Sequence, residues 1–146
     1  MSEQTGDTEQ HTDEAERVVR AYVALWNERA YSRIPDLVSE SFVHVDPDGE
    51  EFHGRDGLEG FVRTVVGGFS DFHVEVTELL SDGNTVMYRA LLTMTHDGEF
   101  QGVPPTGKTF EIPEMATIRV VDGVVTQHRV YYDKRAIRDR LALAET

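Results

Sequence analysis

The sequence predicts an α+β domain in which three N-terminal helices pack on one face of a curved, mainly antiparallel sheet. Apolar residues recur at three- and four-residue spacing in the first part of the chain and alternate with period two from about Phe72 onward. Turn signals, Ser81-Asp82-Gly83-Asn84 and Asp122-Gly123, separate the alternating runs. No repeat, heptad run or internal linker divides the 146 residues, a length that suits one domain with a real core.

The elements follow in order. Residues 1–12 are polar and acidic and are expected to be a disordered tail, leaving 13–146 as the single domain. Asp13 to Arg29 reads as the first helix, with Val18, Tyr22, Leu25 and Trp26 on one stripe. Ser32 is a plausible N-cap for a short helix from Arg33 to Ser39, with Pro35 in its first turn. Phe42 to Asp46 alternates as a short strand, stopped by Pro47-Asp48-Gly49. A third helix, about Arg55 to Gly67, carries Leu58, Phe61, Val62 and Val65 inward. Four strands come next: Phe72 to Leu80, Thr85 to His96, Thr109 to Val121 and Val124 to Tyr132. The last runs into a helix from Lys134 to Leu143.

Composition narrows the function. Cysteine is absent, so disulfides, thiolate metal sites and cysteine nucleophiles are excluded, and a cytoplasmic location fits. No apolar run approaches the ~20 residues of a membrane span, and the N-terminus lacks the pattern of a targeting peptide. With 27 acidic and 14 basic residues the net charge is −13, which argues against nucleic acid and anionic membranes as partners. The acidity is spread along the chain and lysine is confined to Lys108 and Lys134, a pattern expected of a halophilic protein.

The segment His96-Asp97-Gly98-Glu99-Phe100-Gln101-Gly102-Val103-Pro104-Pro105-Thr106-Gly107-Lys108 joins two strands by a rigid, irregular loop. Its wording, G-E-F-x-G-x-P-P-T-G-K, resembles that of SnoaL-like polyketide cyclases and the predicted ester cyclase group of the nuclear transport factor 2-like superfamily. That resemblance extends over about residues 13 to 143 and implies a cone-shaped fold around a blind apolar cavity. It also implies an acid/base aspartate just before the final helix, the place held here by Asp133. Asp133 equally suits an N-cap. Tyr131 and Arg129 share its face by the two-residue count, and Arg129 could hold a carboxylate or a substrate oxygen.

Tyr22 to Asn27, followed by Val45-Asp46-Pro47-Asp48-Gly49, is similar to the ketosteroid isomerase pattern. The resemblance implies Tyr22 as oxyanion donor and Asp46 as proton shuttle; Asp46 also reads as a turn-capping residue before Pro47. The carboxylic acid that isomerases place on the third long strand aligns near Ala116, with Glu114 two residues away. A carboxyl in an apolar pocket is expected to have a raised pKa. Alternation puts Tyr88, Leu92, Met94 and, at the mouth, His96 on the inner face of the second long strand, with His44 beside Asp46. Trp26, Phe61 and Phe100 complete the expected lining. His128 reads as a strand residue without catalytic duty. No histidine and carboxylate spacing suggests a metal site, and no cofactor motif is present.

The expectation is therefore a cofactor-independent cyclase or isomerase acting by acid–base catalysis on a small hydrophobic carbonyl compound, through Asp133 or Asp46 with His96 and Tyr22. A non-catalytic ligand-binding or dimerisation module is the first alternative. A hydrolase resembling limonene epoxide hydrolases, hinted at by Arg129 and Asp133, is the second. A homodimer is expected through the outer sheet face carrying Arg89, Leu91 and Thr93.

Overall fold

The computed structural model describes residues 2–141, with side chains from Thr12 onward. Helix α1 spans Ser2–Glu28. It begins at Ser2 rather than Asp13, so the expected tail is helical backbone, since extension of an existing helix adds a hydrogen bond for each residue fixed. A 3₁₀ turn, Tyr31–Arg33, leads into a four-residue helix α2, Ile34–Leu37. Ser32 lies inside that turn and caps nothing; the residue before α2 is Arg33, without a side-chain cap bond. Val38, expected in the helix, instead starts strand β1, Val38–Val45. After the turn comes β2, Glu51–His53, then α3, Gly54–Gly68. Strands β3 (His73–Asp82), β4 (Thr85–Thr95), β5 (Thr109–Val121) and β6 (Val124–Tyr131) follow, and α4 runs Lys134–Arg140. The remainder of the last expected helix, beyond residue 141, lies outside the described residues.

The six strands form one curved sheet in the order β2-β1-β6-β5-β4-β3. All neighbours are antiparallel except β1 and β6, which run parallel with His44 opposite His128. Alternation along β4 and β5 sends Val86, Tyr88, Ala90, Leu92 and Met94 to the inner face, opposite Phe110, Ile112, Glu114, Ala116 and Ile118. Helix α1 covers this face with Val19, Tyr22, Leu25 and Trp26, all buried. Its end is pinned to edge strand β3 by Asn27, whose amide accepts from Val74 N at 2.8 Å and donates to Val74 O at 2.9 Å. Arg29 then ends the helix in the left-handed region, φ 56°, and its guanidinium donates to the carbonyls of Trp26, Ser70 and Phe72. These bonds fix α1, and with it Tyr22 and Trp26, at one height over the sheet. Among the described residues no helix is long and apolar enough to cross a membrane.

Candidate active site

Between the curved sheet and the helices lies a cavity of about 520 Å³, a volume in the usual range for a small organic ligand. Its walls are mostly apolar and aromatic. Trp26 meets Phe61 edge-on at 5.8 Å and Phe72 at 5.9 Å, and Phe61 lies against His44 at 4.6 Å and Phe52 at 4.4 Å. Tyr88, Leu92, Met94 and Phe100 line it as the alternation predicts.

The mouth is closed on one side by the loop after β4. Asp97 N and Gly98 N donate to Gly68 O at 3.2 and 3.1 Å, and the Asp97 carboxylate accepts from Ser70 N and the Ser70 hydroxyl. A Cβ at Gly68 would stand 2.8 Å from Phe100 Cβ, so the bare glycine is what lets the loop seat. On the other side stands α4, with Lys134 and Ile137 in the wall.

A line of polar groups crosses the apolar floor. Asp46 Oδ1 faces His44 Nε2 at 3.3 Å, His44 Nδ1 faces His128 Nδ1 at 3.3 Å, and the same nitrogen lies 2.7 Å from the Tyr22 hydroxyl. His128 Nε2 is 3.4 Å from the Tyr88 hydroxyl, and Tyr88 and Glu114 both line the cavity. Asp46 Oδ2 is paired with Lys134 Nζ at 3.1 Å, and the same ammonium reaches Asp48 Oδ2 at 2.8 Å. Although Asp46, Asp48 and Glu50 bring oxygens within 4.8 Å of one another, the positive charge among them is this lysine.

The two buried carboxyls are driven in opposite directions. Burial tends to raise Asp46, but hydrogen bonds from His44 and Lys134 and the charge of Lys134 outweigh it and hold the group below its usual range. The expectation of a raised pKa for Asp46 is corrected: the apolar surroundings matter less than two donors on its oxygens. Among the described residues no cation pairs with Glu114, and burial followed by the repulsion of Asp46 pushes it up to about 8. The two buried carboxyls of the wall are therefore driven apart near neutral pH, Asp46 toward the ionised form and Glu114 toward the protonated one. His128 is held well below the ordinary histidine range by burial and by His44, and so is neutral. Burial likewise raises Tyr22 and Tyr88, which remain protonated donors.

Several expected site residues lie elsewhere. Asp133 is exposed and caps α4, accepting from Arg135 N at 2.9 Å. Because β6 ends at Tyr131, counting back from Asp133 sets the wrong phase: His128 and Val130 point inward, whereas Tyr131 is 53% exposed. Tyr131 pairs with Met115 on the outer face, and Arg129 alternates outward with it. Neither Arg129, Tyr131 nor Asp133 lines the cavity, which removes the support for an epoxide-hydrolase-like pair. Tyr22 stands behind His128, its hydroxyl committed to that ring rather than to the cavity. His96 is fully buried behind Phe69; its Nδ1 accepts from Thr106 N at 3.2 Å and meets the Thr106 hydroxyl at 3.0 Å, which braces the loop.

Two cavity residues had no role assigned from the sequence: His128, read as a strand residue, and Glu114, noted only as the carboxyl two residues from Ala116. Both carried a signal: each is a polar residue at an inward position of an otherwise apolar row, Phe110-Ile112-Glu114-Ala116-Ile118 and Val125-His128-Val130.

Comparison with known proteins gives a consistent result. The family model described as SnoaL-like polyketide cyclase matches residues 16–141. Aklanonic acid methyl ester cyclase DnrD of Streptomyces peucetius is 31% identical over 84 residues, 57% of this chain and 58% of that protein. A structure assigned as a SnoaL-like polyketide cyclase from Jannaschia sp. CCS1 superposes with a TM-score of 0.83 at 21% identity, over 90% of this chain and 93% of the other. AclR from Streptomyces galilaeus, assigned as a hydroxylase, gives 0.79 at 29% identity, over 90% and 83%. The matched segment thus spans less than two thirds of the curated relative's length.

Proposed function

The chain belongs to the SnoaL-like polyketide cyclase family, and from that premise we propose that its cavity binds a hydrophobic carbonyl compound and closes a ring by acid–base catalysis. The observation that carries this reading is a pair of buried carboxyls lining one apolar cavity in unlike surroundings, Asp46 against His44 and Lys134, and Glu114 without an ion pair among the described residues. Such a pair divides the labour of enolisation between a base and a hydrogen-bond donor. In this reading the substrate ketone oxygen accepts from the Glu114 carboxylic acid and the Tyr88 hydroxyl. The Asp46 carboxylate, oriented by His44, takes a proton from the adjacent carbon. The enolate, its charge held by those donors, attacks a second carbonyl carbon and forms the ring bond, and the abstracted proton goes to the new alkoxide. Protons move and one carbon–carbon bond forms, with no net redox change, so the step needs no cofactor.

One observation favours the non-catalytic alternative. A carboxylate held low by Lys134 and His44 is a weak base, and a pocket that only binds would tolerate that. Turnover decides between them. With aklanonic acid methyl ester and simpler β-keto esters as substrates, ring closure followed by mass spectrometry is expected for the wild type. Asp46→Asn and Glu114→Gln each lose ~10²- to 10⁴-fold in rate. Asp133→Asn stays within a few-fold, because asparagine caps a helix about as well as aspartate. Binding without turnover, or turnover indifferent to Asp46 and Glu114, would overturn the catalytic reading in favour of the binding module.

A further inference from the structure

We propose that Gln101 is a specificity-determining residue, its side-chain amide held over the cavity mouth to hydrogen-bond a neutral polar group, such as an ester or a second carbonyl, at the solvent end of the ligand. This rests on the reading of the cavity as a carbonyl-compound site. Gln101 lines the cavity and is exposed. It sits at the tip of a tight hairpin in which Phe100 N donates to Val103 O at 3.0 Å and Val103 N to Phe100 O at 2.9 Å.

Both central residues have positive φ, 50° at Gln101 and 81° at Gly102, the geometry of a type I′ turn. The turn between β5 and β6 has the same shape, with φ of 53° at Asp122 and 78° at Gly123. There, away from the cavity, the first position carries aspartate, one of the residues that this turn favours. At the mouth it carries glutamine, which is disfavoured in the left-handed region. Strain retained at a position that faces a ligand cavity points to a role in binding.

The base of the hairpin is rigid. Gly68 O takes two amides, Asp97 holds Ser70, Phe100 packs on Phe69 at 4.9 Å, and His96 braces Thr106. The tip is therefore placed, and a longer amide than asparagine reaches further over the opening. Glu114 and Tyr88 are buried in the cavity wall while Gln101 is exposed, so a ligand whose reacting ketone meets those two presents its solvent end to Gln101.

The test uses two probes, propionylnaphthalene and the β-keto ester ethyl naphthoylacetate, with binding read from the fluorescence of Trp26, the sole tryptophan and part of the cavity wall. The wild type is expected to prefer the ester by about 3- to 10-fold, the yield of one hydrogen bond. Gln101→Ala should abolish that preference and leave the ketone's affinity unchanged. Gln101→Asn should reduce the preference while its melting temperature holds or rises, since asparagine suits the turn. An unchanged preference in both variants, or an equal loss for both probes, would overturn the proposal. If the wild type binds neither probe, the carbonyl-site reading falls, and this one with it.

Discussion

Glu114 shows how a single side chain couples site chemistry to stability. Its pKa rises from 4.5 to about 8 because burial and the Asp46 charge both oppose ionisation. Between those values the folded protein keeps a proton that the unfolded chain has released, so stability falls as pH rises through this window. Above about 8 the loss is complete, and it is on the order of a few kcal/mol. Glu114→Gln should remove the slope. Thermal melts are expected to place the variant above the wild type at about pH 9, with the gap shrinking toward about pH 5. If Glu114 also donates to the substrate, the wild-type rate falls above about pH 8 as that donor ionises. Asp46 has the opposite sign: its lowered pKa contributes stability that is lost only as pH falls below its usual range. Tyr88 and Trp26 were readable in the sequence because each sits on a clean periodic face, whereas Asp46, just past the end of β1, was found through its likeness to the isomerase pattern. His128 was read as a strand residue and Glu114 only as a carboxyl two residues from Ala116, because a polar residue in an apolar row reads as an interruption until its surroundings are in view, here the Tyr22 hydroxyl on His128 and the Asp46 charge near Glu114.

The loop between β4 and β5 and helix α3 act as one element, joined by glycines rather than side chains. A Cβ on Gly98 would collide with the carbonyl oxygen of Gly67, which is backbone and cannot swing away. Gly60, in the interior of α3, has nothing within 4 Å of an added Cβ. Gly98→Ala is therefore expected to lower the melting temperature and loosen the loop, whereas Gly60→Ala should stabilise by about 0.5 to 1 kcal/mol through helix propensity. Scanning calorimetry on the two variants checks both signs. The long elements were legible for the same reason that they are stable: β5 matches its predicted span because six alternate residues from Phe110 to Val120 bury one face. The short ones were not. β2 has three residues, with pattern exposed, half-buried, exposed, and exists because β1 offers it an edge. β1 begins at Val38 because Val38 pairs with Val125, far along the chain and invisible to local spacing.

For the molecule as a whole, a net charge of −13 sets the response to salt. Self-repulsion is screened over ~10 Å at 0.1 M and ~3 Å at 1 M salt, so the melting temperature should rise between those conditions in sodium chloride. A flat response would count against a halophilic design. The outer sheet face bears on association: Leu80 lies opposite Met87, and Met115 opposite Tyr131, all four exposed. Light scattering across the same salt series should give the mass of a homodimer. A last consequence concerns synthesis. The parallel pairing of β1 with β6 joins segments made early and late, so His44 meets His128, and Asp46 meets Lys134, only when the final strand and helix have emerged. Until then β1 lacks β6 beside it, and Asp46 has no counter-ion. A nascent or truncated chain ending before β6 therefore lacks His128 and Lys134 and leaves an open strand edge that invites wrong partners.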